Sequence, residues 1–149
     1  MTATNHALTG ALIGLVVGQP VVAVILAVLS HFVLDAIPHY TDESIKISSD
    51  GFKRYLIVEA LFCFSLVVVL VLVHPENWPL AAICAFLATS PDFMWMPKYL
   101  RARQAKPEPK THNAIIRFHS RIQWFTKPVG AVVEAVWTVC AIVLLAKLI

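Results

Sequence analysis

Charge is what this chain has least of. Only 14% of its 149 residues are Asp, Glu, Lys or Arg, while 58% are hydrophobic, which leaves too little polar surface to cover a water-soluble domain of this length. A cysteine framework is missing as well. Cys63, Cys84 and Cys140 each stand inside an apolar run, without the CxxC spacing of a structural zinc site or the density of a disulfide scaffold, and they read as small apolar fillers. The N-terminus has neither a basic n-region nor a small-residue cleavage pattern, so the first apolar run is expected to stay in the fold. There is no internal repeat and no low-complexity tract, and 1–149 reads as a single membrane-embedded helical domain.

Long hydrophobic runs are what the chain has instead. Residues 56–73 contain one early glutamate, 80–89 continue into Ser90-Pro91-Asp92, and 129–146 carry one internal glutamate. Roughly 20 helical residues cross the hydrocarbon core of a bilayer. Backbone polar groups in lipid must be satisfied within their own segment, so the abundant valines do not make strands. The expected fold is all-α, an integral membrane bundle of four to five hydrophobic helices.

The first run, 7–34, is too long for one minimal span and is interrupted by Gly18-Gln19-Pro20. Glycine with proline marks a turn, and proline suits the first turn of a new helix. One long kinked helix and a hairpin of two short helices both fit, and the break favours the hairpin. Its arms would cover about 5–17, roughly 20 Å, and 20–37, roughly 27 Å. Gly10, Gly14 and Gly18 recur at every fourth position, a small-residue stripe that permits close helix contact. Pro38 ends the second arm.

A third helix is expected to end at Val73 before the His74-Pro75-Glu76 turn, and a fourth to run from Leu80 to about Trp95. The stretch 101–112 is a polar connection, 113–126 a short amphipathic interfacial helix with Arg117 and Arg121 as anchors and Trp124 and Phe125 as an aromatic belt, and 128–147 the last helix. Basic residues concentrate before the third helix and in the connection at about 98–127. Both are expected on the cytoplasmic side of the membrane, and this distribution argues against nucleic acid as the partner.

The ionisable residues gather at that same side. His31 and Asp35 form an HxxxD pair one turn apart, which brings an imidazole and a carboxylate within reach of one metal. Such groups deep in an apolar helix are costly and usually line a functional cavity, although a buried His-Asp bond pinning two helices is the plain alternative. His39 beyond Pro38, Asp92 after Pro91, and His6 on the first arm are further metal candidates. His112 is another, and it lies seven residues, about 10 Å on a regular helix, from His119. His119, flanked by Arg117 and Arg121, suits a proton transfer or a phosphate. Glu59 and Glu134, one to two turns into otherwise apolar helices, are candidate ligands or general bases. His74 belongs to the opposite, solvated turn.

Asn5-His6-Ala7-Leu8-Thr9-Gly10 and Ser30-His31-Phe32-Val33-Leu34-Asp35-Ala36-Ile37-Pro38-His39 resemble the bacterial family of predicted membrane-bound metal-dependent hydrolases, one branch of which is associated with the DNA-damage regulon. His6, His31, Asp35, His39 and Asp92 are the recognisable positions. The HxxxD element is more distantly similar to the helical zinc-dependent phospholipase C fold. The resemblance implies metal-dependent hydrolysis of a phosphoester in a membrane lipid or lipid-linked substrate. No second HxxxD or HxxxE pair surrounds His112 and His119, so one or two divalent ions, zinc foremost, are expected rather than a larger cluster. His31, Asp35, His39 and Asp92 would hold the ion, with His6 or His119 as a further ligand or proton carrier and Arg117 or Arg121 near the phosphate. A small metal or proton transporter and a non-catalytic membrane scaffold are the competing functions, and a homodimer is left open.

Overall fold

A computed structural model describes residues 1–41, 45–107 and 114–149. All regular structure among them is helical. α1 (Ala3–Val17) and α2 (Pro20–Ala36) form a hairpin. Gly18 turns the chain at φ 65°, a left-handed conformation that costs glycine nothing because it has no Cβ. Gln19 then caps α2, its side-chain oxygen accepting the Val22 N–H at 2.6 Å, and Pro20 occupies the first turn, where no N–H is needed. The Gly-Gln-Pro break therefore reverses the chain, which brings the His6 end of α1 beside the His31 end of α2.

α3 (Asp50–Val73) begins with the Ser49 hydroxyl accepting the Phe52 N–H at 3.1 Å. α4 (Trp78–Thr89) continues through a 3-10 turn (Ser90–Trp95) into α5 (Met96–Arg103). α6 (Ala114–Ile122) is short, and α7 (Gly130–Leu148) is the last helix. Three stretches, Asp50–Val73, Trp78–Arg103 and Gly130–Leu148, are long and apolar enough to cross a membrane. α1 and α2, with 15 and 17 residues, measure about 22 and 25 Å, less than the roughly 30 Å of a hydrocarbon core. The outward faces carry large apolar side chains: Leu72 is 77% exposed, Phe64 65% and Val132 63%. Water would penalise that surface, and a bilayer would not.

α1 is the central helix, in contact with α2, α3, α4 and α7. A Cβ at Gly10 would collide with the carbonyl of Cys84, and one at Gly14 with the backbone of Ala81. Two members of the glycine stripe thus allow α1 and α4 to touch backbone to backbone, while the third, Gly18, serves the turn. On α4 the buried residues are Ala81, Cys84, Ala85 and Ala88, small side chains that meet Ala7 and Ala11 of α1 on one side and Ala23 and Ala27 of α2 on the other.

The start of α1 is half-buried, so its free N–H groups have restricted access to water. Two glutamates supply the acceptors. Glu59 of α3 takes both the backbone N–H and the hydroxyl of Thr4 at 2.8 Å, and Glu134 of α7 takes the Thr2 N–H at 2.9 Å. Carboxylates are also the favoured partners of a helix N-terminus on electrostatic grounds. Asn5 completes the tie, donating to the Glu134 carbonyl at 3.3 Å and accepting from the Thr138 hydroxyl at 2.7 Å.

Candidate metal centre

The inner face of α2 is one stripe at four-residue spacing: Ala23, Ala27, His31 and Asp35 are all buried and share a side of the helix. Alanine occupies the half that meets α4, and the two polar residues occupy the end that meets α6. The His31 ring is fixed by α4. Its Nδ1–H donates to the Ala88 carbonyl at 2.8 Å, a group to which Pro91, three residues on, has no N–H to give. The proton is on Nδ1, so Nε2 presents its lone pair.

That lone pair faces two others. His31 Nε2 lies 3.0 Å from His119 Nε2 and 3.3 Å from Asp35 Oδ2, and His119 Nε2 lies 2.8 Å from the same Asp35 oxygen. Asp92 Oδ1 stands 3.8 and 3.9 Å from the two imidazole nitrogens. One atom from each of His31, Asp35, Asp92 and His119 falls within a span of 4.8 Å. The side chains of His31 and Asp35 are fully buried, and that of Asp92 is 22% exposed, so Asp92 marks the open side.

No family model matches the chain, and no curated protein or solved structure does either.

The donor set itself supports a cation. Tetrahedral zinc with nitrogen or oxygen ligands at about 2.0–2.1 Å separates those ligands by roughly 3.3 Å, close to the three short edges here. Two imidazoles and a carboxylate with converging lone pairs repel one another unless a proton or a cation lies between them. The surrounding contacts also resemble a metal's outer shell, in which each ligand is held by a further hydrogen bond. Ala88 holds His31, and the Gln123 side-chain amide donates to Asp35 Oδ2 at 2.9 Å. His6 Nε2 is 3.1 Å from Asp35 Oδ1, and the Met1 amino group is 2.7 Å from that same oxygen. Phe32 sets its ring edge-on to His31 and His119 and forms an apolar wall.

The residues singled out from the sequence divide into groups. His31, Asp35, Asp92 and His119 come together. His6 is fully buried beside them, on the far oxygen of Asp35 and outside the four-residue group. His39 is buried but turned aside, its Nδ1–H donating to the Ile37 carbonyl at 2.9 Å and its backbone N–H to Phe125 at 3.2 Å. Glu59 and Glu134 cap α1, as described. Arg117 and Arg121 are exposed, and two residues either side of His119 on a helix place them about 160° around from it. They line the outer face of α6, away from the cluster. His112 lies outside the described residues.

Gln123, the Ala88 carbonyl, the Met1 amino group and Phe32 are the contributors the sequence reading missed. Gln123 is four residues after His119, just past the end of α6, and that spacing was a usable signal. A backbone carbonyl leaves no mark in a sequence.

Proposed function

We propose that this chain is a membrane-embedded, metal-dependent hydrolase that cleaves a phosphoester of a lipid or lipid-linked substrate. The observation that carries the reading is the convergence of His31, Asp35, His119 and Asp92 at one end of an apolar bundle. It agrees with the resemblance of the Asn5–His6 and His31–Asp35 segments to predicted membrane-bound metal-dependent hydrolases. Zinc is the favoured ion for two imidazoles and two carboxylates.

A divalent ion bound there would supply Lewis acidity, polarising a phosphoryl oxygen and acidifying water. The chain's own part is to hold and orient. Ala88 keeps His31 in the tautomer with a free Nε2, Gln123 and His6 fix the two oxygens of Asp35, and Phe32 excludes water from the imidazoles. Asp92, the least buried of the four, is placed to accept a proton on the open side.

The transporter alternative needs polar groups continuing through the bundle. The stripe that carries His31 and Asp35 continues instead as Ala27 and Ala23, so the cluster opens at one end only. The basic residues 98–103 adjoin that end, where Arg103 pairs with Asp50 at 2.9 Å, and by the bias of positive residues this end faces the cytoplasm.

Elemental analysis of the detergent-purified full chain tests the reading. About one equivalent of zinc, absent from a His31→Ala, Asp35→Ala double variant, followed by turnover of a phospholipid, would support it. Absence of any retained ion after loading with zinc, manganese or cobalt would end it.

A further inference from the structure

Beside the cluster lies a cavity of about 200 Å³ between α1, α3 and α4. Ala7, Cys63, Phe64 and Val67 line one side, and Ala85, Phe86 and Thr89 the other. Of the 24 residues of α3 only Leu66 and Leu70 are buried, both in the half far from the cluster, while Glu59 ties the other half to Thr4 of α1. The cavity opens between these two attachments, and Phe64 and Phe86 at its rim are 65% and 59% exposed. On a helix read as spanning the membrane, such an opening faces hydrocarbon. The lining has no unmet polar demand, since the Thr89 hydroxyl donates to the Phe86 carbonyl at 2.8 Å.

The groove also leads to the metal centre. Ala85 and Thr89 share a face of α4, and Asp92 follows three residues on in the 3-10 turn, where residues three apart eclipse, so the wall that begins at Ala85 arrives at the carboxylate on the open side of the cluster. Ala7 adjoins His6, and Thr89 adjoins Ala88, which fixes His31.

We propose that this groove receives one acyl chain of a glycerophospholipid substrate, which slides in from the bilayer between α3 and α4 and brings its phosphoester to Asp92. The role of the subsite rests on the hydrolase reading, but its occupancy by an acyl chain does not, and the two are measured separately.

The full chain is reconstituted in nanodiscs of phosphatidylethanolamine and phosphatidylglycerol, part of the latter carrying a diazirine midway along one acyl chain. After irradiation, adducts are mapped by mass spectrometry. Labelling of Cys63, Phe64, Val67 and Phe86 is expected to exceed several-fold that of Val139 and Ile142, which are exposed at mid-height on α7 at 61% and 51%. Cys63→Trp, which fills the groove, is expected to bring the excess down to the α7 level while zinc per chain stays unchanged. Equal labelling of the groove and α7 in the wild type overturns the proposal, as does an excess that survives Cys63→Trp. Groove residues shielded from lipid by a second copy of the chain, seen as reduced labelling with cross-linked dimers, overturn it too. Loss of zinc binding with the labelling excess intact would remove the hydrolase reading and leave the acyl subsite standing.

Discussion

The ring of His6 lies flat against that of His31, with centroids 4.0 Å apart and an interplanar angle of 24°. The same imidazole meets Asp35 Oδ1 at 3.1 Å, and its Nδ1 has no hydrogen-bond partner among the described residues. One residue of α1 thus braces two candidate ligands of α2. His6→Phe keeps the stacked ring and removes the bond to Asp35. It is expected to weaken zinc binding roughly 10–100-fold, as loss of an outer-shell partner does, with helicity retained. Competition against a chromogenic chelator measures the first and circular dichroism the second.

Unequal distances within the cluster predict unequal losses. His31→Ala or His119→Ala removes one corner of the tight triangle of 2.8–3.3 Å edges and is expected to abolish stoichiometric zinc after dialysis against a chelator. Asp92→Ala removes the oxygen that stands 3.8–3.9 Å away, and it is expected to leave measurable zinc while eliminating turnover. Parallel metal analysis and assays of phospholipid turnover on the three variants check this order.

Glu59 separates a capping role from a catalytic one. With its carboxylate taken up by Thr4, Glu59→Ala is expected to lower stability by roughly 1–2 kcal/mol without releasing zinc. Glu59→Gln keeps an acceptor oxygen and is expected to recover most of that loss. Thermal unfolding in detergent reads the stability. Loss of zinc at unchanged stability would instead place Glu59 in the metal centre.

Two glycines should respond in opposite ways to a methyl group. Gly10→Ala drives a Cβ into the α4 backbone and is expected to cost about 1–3 kcal/mol, as overpacking does. At Gly51, in the first turn of α3, a Cβ meets only ordinary contacts at 3.6 and 4.0 Å, so Gly51→Ala is expected to be neutral or to stabilise by up to about 1 kcal/mol. The same unfolding measurement compares them.

What could be seen in the sequence was local. The pairing of His31 with Asp35 follows from four-residue spacing, and the hairpin from a glycine and a proline flanking one residue. His39 shows where local inference stops. It was expected near Asp35, but Ile37, restricted by the proline after it, takes an extended conformation with ψ 149°, and the chain leaves the helix axis there. Glu59 and Glu134 stood out as acids in apolar runs, and nothing nearby revealed that the start of α1 would need them. His119, between two arginines, reads from the sequence as suited to a phosphate, a proton transfer or a further ligand position. Its place beside His31 depends on the docking of α6 against α2, a contact between residues 88 apart that no periodicity encodes.

That separation sets an order of events during synthesis. At roughly 5–20 residues per second, the 88 residues from His31 to His119 take roughly 4–18 s to translate. Throughout that interval the nascent chain offers a histidine and a carboxylate on α2 without their third close partner. The four-residue cluster is complete only after the hairpin, α3 and α4 have emerged, so metal capture there would be a late step of biogenesis, and a chain stalled before α6 would be unable to close its site.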